Sequence, residues 1–503
     1  MDLANRPTPE MLERVRPSRR TLLKTSFASL AVALTAGTPR LAGASPATPV
    51  VATPATATAD LAALDAFVEE RMAALGVPGV AIGVILGEEE HVAGFGVTSV
   101  GHPLPVDGDT LFQVGSITKT VTGTALMRLV ERGEIDLDAP VRDYLPEFRV
   151  ADESVSEEAL IRHLVTHTGG WFGDDFTDPG RGEDALAEYV AELADLPQVA
   201  PLGEHFSYNN AGFSAAGRIV EVVTGQPYED AVRDLVLAPL GMDHSTFFAE
   251  EAITEATAVG HVAPEGEPVV ARPWNIPRAA NPAGGVIAPV NEMLRYARFH
   301  LGDGTANGET VLTPESMAFM QAPLGPGGSL GTEILDGVGV TWMLSSIDGV
   351  RLVAHGGSTN GQQANVVLAP ERDFAIVVLT NADAGAALGV EAANWALEHL
   401  LGLTLPIPAT QDLDAATASD YLGRYGDTAG LLIEVALDGG TLRAIATAAG
   451  EPVPDGEVVL DPIGGDLFVS DFMGMAFFSD FARDDAGEVG WMRFSGRLLP
   501  RAA

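Results

Sequence analysis

The chain has 503 residues, no cysteine, and 29 basic against 69 acidic residues, for a formal net charge of -40. That length allows about two or three domains, and a hydrophobic share of 46% excludes wholesale disorder. The charge excludes nucleic acid as a partner, because neutralising phosphates takes a basic surface; the missing cysteine excludes disulfides, thiolate catalysis and cysteine-bound metals.

Residues 18–24 read Ser-Arg-Arg-Thr-Leu-Leu-Lys, followed by an apolar stretch with Phe27, Leu30, Val32 and Leu34 and then by the small triplet Ala42-Gly43-Ala44. This is the pattern of a twin-arginine export leader over residues 1–44. The Pro/Ala/Thr-rich run 45–58 is expected to be a flexible tether. The expected location is therefore periplasmic, cell-surface or extracellular. No later apolar run is long and clean enough to span a membrane, so no transmembrane segment is expected in the mature chain.

Apolar positions at helical spacing predict a helix over 60–75, with Leu61, Leu64, Phe67, Val68, Met72 and Leu75 on its inner face. Short β-type runs follow at 80–86 and 92–97, with a polar turn at Gly87-Glu88-Glu89-Glu90 between them. A second helix is expected over 118–132, ending at Gly133. After a long mixed region, Val366-Val367-Leu368 and 374–380 predict two adjacent strands, and 387–401 a closing helix. This order suits an α+β domain over 59–405, an antiparallel sheet flanked by helices with a helical insertion. Residues 406–417 form a Pro-containing linker, and the short alternating runs of 418–503 suggest a small β-barrel or sandwich. Such a unit is expected to be separable, leaving the chemistry of a chain that ends near Leu405 intact.

Only two of the basic residues are lysines, Lys24 in the leader and Lys119. Lys119 stands three residues after Ser116, in Ser116-Ile117-Thr118-Lys119, where a helix begins. Positions i and i+3 share a helix face, so the amine can reach the hydroxyl. Serine is a poor nucleophile until a base takes its proton, and lysine is such a base only if burial or a nearby positive charge lowers its pKa. The bland alternative is Ser116 as a helix cap beside an exposed lysine. In Tyr208-Asn209-Asn210, before a helix over 213–223, a tyrosine near a lysine ammonium would have a lowered pKa and share the proton work, and Asn210 could bond a carbonyl or orient the lysine. In His355-Gly356-Gly357-Ser358 the glycines let a substrate approach a strand edge, and the Ser358 N–H could complete an oxyanion hole with that of Ser116. Each of the last two alone reads as an ordinary turn.

Together, in this order, the three motifs resemble the serine β-lactamase and penicillin-binding-protein superfamily. The branch is that of class C β-lactamases, D,D-carboxypeptidases, D-aminopeptidases and family VIII esterases. The likeness extends over about Asp60 to Leu405, including Leu111-Phe112, Leu137-Asp138-Ala139-Pro140-Val141, Ile161 to Gly170, Pro239-Leu240-Gly241-Met242 and Ala283-Gly284-Gly285. The tail from Asp420-Tyr421-Leu422-Gly423-Arg424-Tyr425 is similar to the lipocalin-like β-domain appended to such hydrolases. The resemblance implies a β-lactamase-like sheet, an acyl-enzyme at Ser116, proton transfer shared by Lys119 and Tyr208, Asn210 on the acyl side, and His355, Gly356, Gly357 and Ser358 along the substrate. It implies no metal or organic cofactor, and a small-molecule or peptide substrate such as one from the cell wall. Class C β-lactamases carry Lys-Thr-Gly where this chain has His355-Gly356-Gly357. Esterase or D-amino-acid peptidase activity is therefore favoured over a true β-lactamase, with His355 helping anionic substrates only as falling pH protonates it. The alternative from another class is a non-catalytic cell-wall binding or sensing protein.

Other patterns carry less. Gly327-Gly328-Ser329-Leu330-Gly331 matches a nucleophile elbow, but its prolines and glycines predict a loop. His163 and His167 have metal spacing without a third ligand. Glu88-Glu89-Glu90 and Asp174-Asp175 read as solvated turns, and Trp171, Trp274 and Trp342 as cleft or core residues alike.

Overall fold

The runs 79–86 and 374–380 are continuously apolar, which fits burial on both faces of a sheet. In a computed structural model describing residues 54–502, apart from 265, 427–429 and 473, these two runs pair at the heart of one antiparallel sheet of eight strands. The strands are β1 (Gly79–Leu86), β2 (Glu89–Gly96), β3 (Gly325–Leu330), β4 (Glu333–Val338), β5 (Met343–Ile347), β6 (Val350–Thr359), β7 (Gln362–Ala369) and β8 (Phe374–Thr380). Their order across the sheet is β2-β1-β8-β7-β6-β5-β4-β3. Side chains alternate between faces. Val80, Ile82, Val84, Ile376 and Val378 join one core with Leu64 and Val68 of helix α1 (Pro54–Leu75) and Leu388 and Ala392 of the closing helix, here α5 (Gly385–Leu401). Ala81, Ile85, Ala375, Val377 and Leu379 join the other core, under the inserted helices. Arg71 and Glu391 tie α1 to α5 through two hydrogen bonds of 2.6 and 2.8 Å.

The insertion between β2 and β3 holds α2 (Thr118–Glu131), α3 (Ala211–Thr224), α4 (Val290–Leu301) and several shorter helices. Helix α2 runs through the middle of the domain, and all but three of its 14 residues are buried. Among its inward hydroxyls, Thr120 donates to Ile117 O one turn back at 2.7 Å and Thr122 to the distant Pro282 O at 2.7 Å.

The α+β reading stands, with two differences. The first helix begins at Pro54, inside the expected tether, where alanines favour helix and proline is tolerated in the first turn. The export leader lies outside the described residues. The Gly/Pro-rich segment expected as a loop is the edge strand β3. Proline is accepted there because an edge strand leaves one row of N–H groups unpaired; no helix follows it, so it is no nucleophile elbow.

Beyond a short helix, α6 (Ala415–Tyr421), the C-terminal region folds as two antiparallel sheets. One has β9 (Gly423–Gly426), β10 (Leu431–Asp438), β11 (Thr441–Ala448) and β12 (Glu451–Val459). The other has β13 (Asp461–Gly464), β14 (Leu467–Phe472), β15 (Met475–Arg483), β16 (Val489–Phe494) and β17 (Arg497–Pro500). Tyr425, Ile433, Val435 and Ala444 of the first share a core with Phe468, Phe481, Met492 and Leu499 of the second. A bridge between Tyr425 and Arg501 links their ends.

Candidate active site

A three-residue strand, Leu111–Gln113, leads to Gly115 at φ +53° and a single 3-10 turn, Gly115–Ile117, before α2 starts. Ser116 caps nothing: the start of neither helical segment has a side-chain cap bond. Lys119 follows within one helical turn and is 0% exposed. Its Nζ lies 3.0 Å from Ser116 Oγ, 2.7 Å from Asn210 Oδ1 and 2.7 Å from the Ala283 carbonyl oxygen. The alternative of a capping serine beside an exposed lysine is thereby excluded. Burial pulls the lysine well below its ordinary pKa, and the positive charge of Arg497 pulls the same way against Asp174. A neutral amine has two hydrogens and one lone pair. The two carbonyl oxygens can take the hydrogens, which leaves the lone pair for the Ser116 hydroxyl.

Tyr208 and Asn210 come from the turn that opens α3. The Tyr208 ring stacks on His167, with centroids 4.3 Å apart, and lies 4.9 Å from Lys119 Nζ. The expected lowering of its pKa does not occur. Burial raises it, and the hydrogen bond with Ser116 and the charge of Arg497 offset only part of that. The expectation assumed a lysine ammonium beside the phenol, whereas burial disfavours both charged forms together. Asn210 turns its Oδ1 to Lys119 and its Nδ2 to Asp174 Oδ1 at 2.7 Å.

His355 to Ser358 lie on the outer half of β6. Strand β5 pairs only with residues 350–354, so the next residues have no partner strand on that side, while β7 pairs with them on the other. The turn bearing Ser116 sits against this stretch. A Cβ on Gly357 would fall 1.9 Å from Val114 O and 3.1 Å from Ser116 N, and one on Gly115 would fall 2.5 Å from Ser358 N. Gly357→Ala must therefore push the strand away from Ser116. It should lower kcat/KM at least tenfold and stability by about 1–3 kcal/mol, as read from kinetics and thermal melts. An unchanged variant would show that this approach is not needed.

His355 is 3% exposed, and its Nδ1 donates to Gly356 O at 2.6 Å. Burial and then the Lys119 charge pull its pKa down to about 3. The expectation that it charges as pH falls through the ordinary histidine range is overturned, because burial disfavours the imidazolium and the Lys119 charge opposes it.

Two participants were not expected. Asp174, read as a solvated turn, holds Asn210 and accepts from Arg497 Nε at 3.0 Å. Arg497 lies at the start of β17, with its guanidinium 4.6 Å from the centroid of the Tyr208 ring. The surrounding C-terminal chain is bound to the same loop. Tyr208 N–H donates to Gly496 O at 2.8 Å, Leu498 N–H to Ser207 Oγ at 3.1 Å, Arg493 Nε to Phe206 O at 3.0 Å and Trp491 Nε1 to Val199 O at 2.6 Å. These contacts argue against a tail whose loss leaves the site unchanged. No local signal marked either residue, since 323 positions separate them.

The remaining candidates have structural places. His163 Nδ1 accepts from Leu160 N–H at 3.1 Å and His167 Nδ1 from Asn209 N–H at 2.9 Å. Ser329 bonds to Asp480. Trp171 and Trp342 are core residues, and half-buried Trp274 donates to Ala258 O at 3.1 Å.

A family model described as Beta-lactamase matches residues 64–401. Penicillin-binding protein 4 of Amycolatopsis lactamdurans is 36% identical over 333 residues, 66% of this chain and 87% of that protein. The crystal structure of SurE with D-Leu is similar at 25% identity and a TM-score of 0.68, covering 88% of this chain and 100% of that one. The class C beta lactamase from Rhodobacter sphaeroides is similar at 25% identity and a TM-score of 0.53, covering 68% of this chain and 99% of its own. The SurE likeness is too long to stop at residue 401, so it takes in part of the C-terminal strands. On these grounds the chain belongs to the Beta-lactamase family, within the serine β-lactamase and penicillin-binding-protein superfamily of serine hydrolases.

Proposed function

We propose that the chain is an exported enzyme that hydrolyses esters or D-amino-acid amides and peptides through an acyl-enzyme on Ser116. The observation that carries this reading is Lys119, an amine without exposure, with its Nζ 3.0 Å from Ser116 Oγ and no ion pair among the described residues. In this reading Nζ takes the Ser116 proton as Oγ bonds to the acyl carbon. The N–H groups of Ser116 and Ser358 receive the oxyanion, and Asn210 binds on the acyl side. Tyr208, which burial keeps protonated, gives its proton to the leaving group and regains one from Lys119. Water then attacks the ester, with Lys119 again the base. No metal or organic cofactor takes part in these steps.

Substrate class rests on β6. A neutral His355 offers a β-lactam carboxylate no charge, and Gly356 offers no hydroxyl. The D-Leu in the SurE structure supports a D-amino-acid substrate. Likeness to a class C beta lactamase favours β-lactam hydrolysis as the second reading. Export rests on the arginine pair and residues 18–44; among the described residues no helix is long and apolar enough to cross a membrane. The C-terminal region from about residue 418 is proposed to be a lipocalin-like β-domain.

A panel of p-nitrophenyl esters, D-amino-acid amides, D-Ala-D-Ala peptides and nitrocefin tests this. The expected order puts an ester or D-amino-acyl substrate at least tenfold above nitrocefin in kcat/KM. The ratio should stay flat between pH 5 and 8, because a histidine titrating at about 3 gains no proton there. A Cβ at Gly356 would meet only Ala364 O, at 3.9 Å, so the backbone there has room for a side chain to begin. His355→Lys with Gly356→Thr should raise nitrocefin relative to the ester about tenfold to a hundredfold. A wild type that prefers nitrocefin would establish the second reading, and no labelling of Ser116 by a fluorophosphonate would establish a non-catalytic protein.

A further inference from the structure

The C-terminal strands place one charged side chain at the catalytic turn. Arg497 sits between the Tyr208 ring, 4.6 Å from its guanidinium, and Asp174, at 3.0 Å from Nε and 3.4 Å from a terminal nitrogen. Asp174 holds Asn210 Nδ2 at 2.7 Å, and Asn210 Oδ1 holds Lys119 Nζ at 2.7 Å. The chain Arg497–Asp174–Asn210–Lys119 thus runs unbroken from β17 to the candidate base. The backbone is fixed at the same point by the Tyr208–Gly496 hydrogen bond of 2.8 Å.

We infer that Arg497 is a positioning residue: through Asp174 it locks the Asn210 amide onto Lys119, and against the Tyr208 ring it keeps a positive charge beside the base, so the C-terminal strands help set the reactivity of Ser116. This rests on the Ser116–Lys119 acyl-enzyme reading and adds a part to it. A terminal amide is free to swing about its last torsion. A carboxylate acceptor on Nδ2 prevents Asn210 from presenting the wrong edge to the amine, and the two-pronged hold of Arg497 fixes that carboxylate. The charge acts separately. A cation near Lys119 favours its neutral form, and the Asp174 carboxylate opposes it.

The groups facing Lys119 are few. Tyr208, His167 and His355 stay neutral near physiological pH, since burial raises the phenol and lowers both imidazoles. The ion pair of Arg278 and Glu229 lies behind the Asn281–Gly284 turn and is internally balanced. Arg497 and Asp174 are therefore the charges that should move the titration of the base, and in opposite directions.

The test is the rate of Ser116 modification by a neutral fluorophosphonate, followed by intact mass across pH. The full-length wild type is compared with Arg497→Met, Arg497→Lys and Asp174→Asn. Lysine must be neutral to act, so the rate rises with pH through its pKa. Arg497→Met should slow modification at least tenfold and move the rising limb up by about one pH unit. Asp174→Asn should move the limb down, and Arg497→Lys should restore the limb but not the full rate. Far-UV circular dichroism and thermal melts check folding; if Arg497→Met does not fold, the other two variants decide. Wild-type limbs and rates in all folded variants would overturn the inference while leaving the acyl-enzyme intact. So would a variant with normal modification and a raised KM confined to carboxylate-bearing peptides, which would make Arg497 a substrate contact. Failure of wild-type Ser116 to react at all would remove the underlying reading instead.

Discussion

Ser116→Ala should abolish turnover and the fluorophosphonate adduct while leaving the thermal melt nearly unchanged. Removing the nucleophile of an acyl-enzyme pathway costs about four or more orders of magnitude in kcat, because the remaining donors can only polarise the substrate for water. The fold should not notice. Ser116 is half-buried in a single 3-10 turn, its hydroxyl caps neither helical segment, and the hold on Lys119 is kept by Asn210 and Ala283 O at 2.7 Å each. The measurements are kcat/KM on the best ester of the panel, intact mass after labelling and a melting curve. Activity within about a hundredfold of wild type, from protein shown free of contaminating hydrolases, would mean that another group is acylated.

Lys119→Arg should be nearly as damaging as Lys119→Ala, with kcat/KM down by about three orders of magnitude or more in each. A guanidinium keeps its proton at any usable pH, so it cannot accept the one from Ser116. If lysine served only as a positive charge, arginine would restore much of the rate. The site also penalises arginine physically. Lys119 is 0% exposed, its contacts are two amide oxygens and one hydroxyl, and the rings of Tyr208 and Phe213 lie 4.9 and 5.3 Å from Nζ. A permanent charge there has no carboxylate to meet it, and an unpaired buried charge costs several kcal/mol. The arginine variant should accordingly melt below a Lys119→Met control, which keeps the apolar stem. Recovery of most activity in Lys119→Arg would end the assignment of Lys119 as a proton carrier.

The sequence by itself determined what depends on short-range periodicity. Ser116 and Lys119 had to share a helix face because three residues are close to one turn. The runs that became β1, β7 and β8 had to be buried because they are apolar on both alternating faces. The two glycines after His355 were expected to let a substrate approach; the close approach found is that of Gly357 to the turn bearing Ser116, while Gly356 is open. Tertiary structure decided the rest. Strand β3, with Gly325, Pro326, Gly327 and Gly328, has no strand signal of its own and exists because β4 and the Arg493–Asp480 ion pair hold it. His355 has the composition of a pH-responsive residue, yet burial leaves it neutral. Asp174 and Arg497 are ordinary charges in polar turns, 323 positions apart, until the C-terminal strands carry one to the other beside Tyr208. Charge, burial and proton affinity depend on which groups meet in space, and meetings at that separation leave no trace in local spacing.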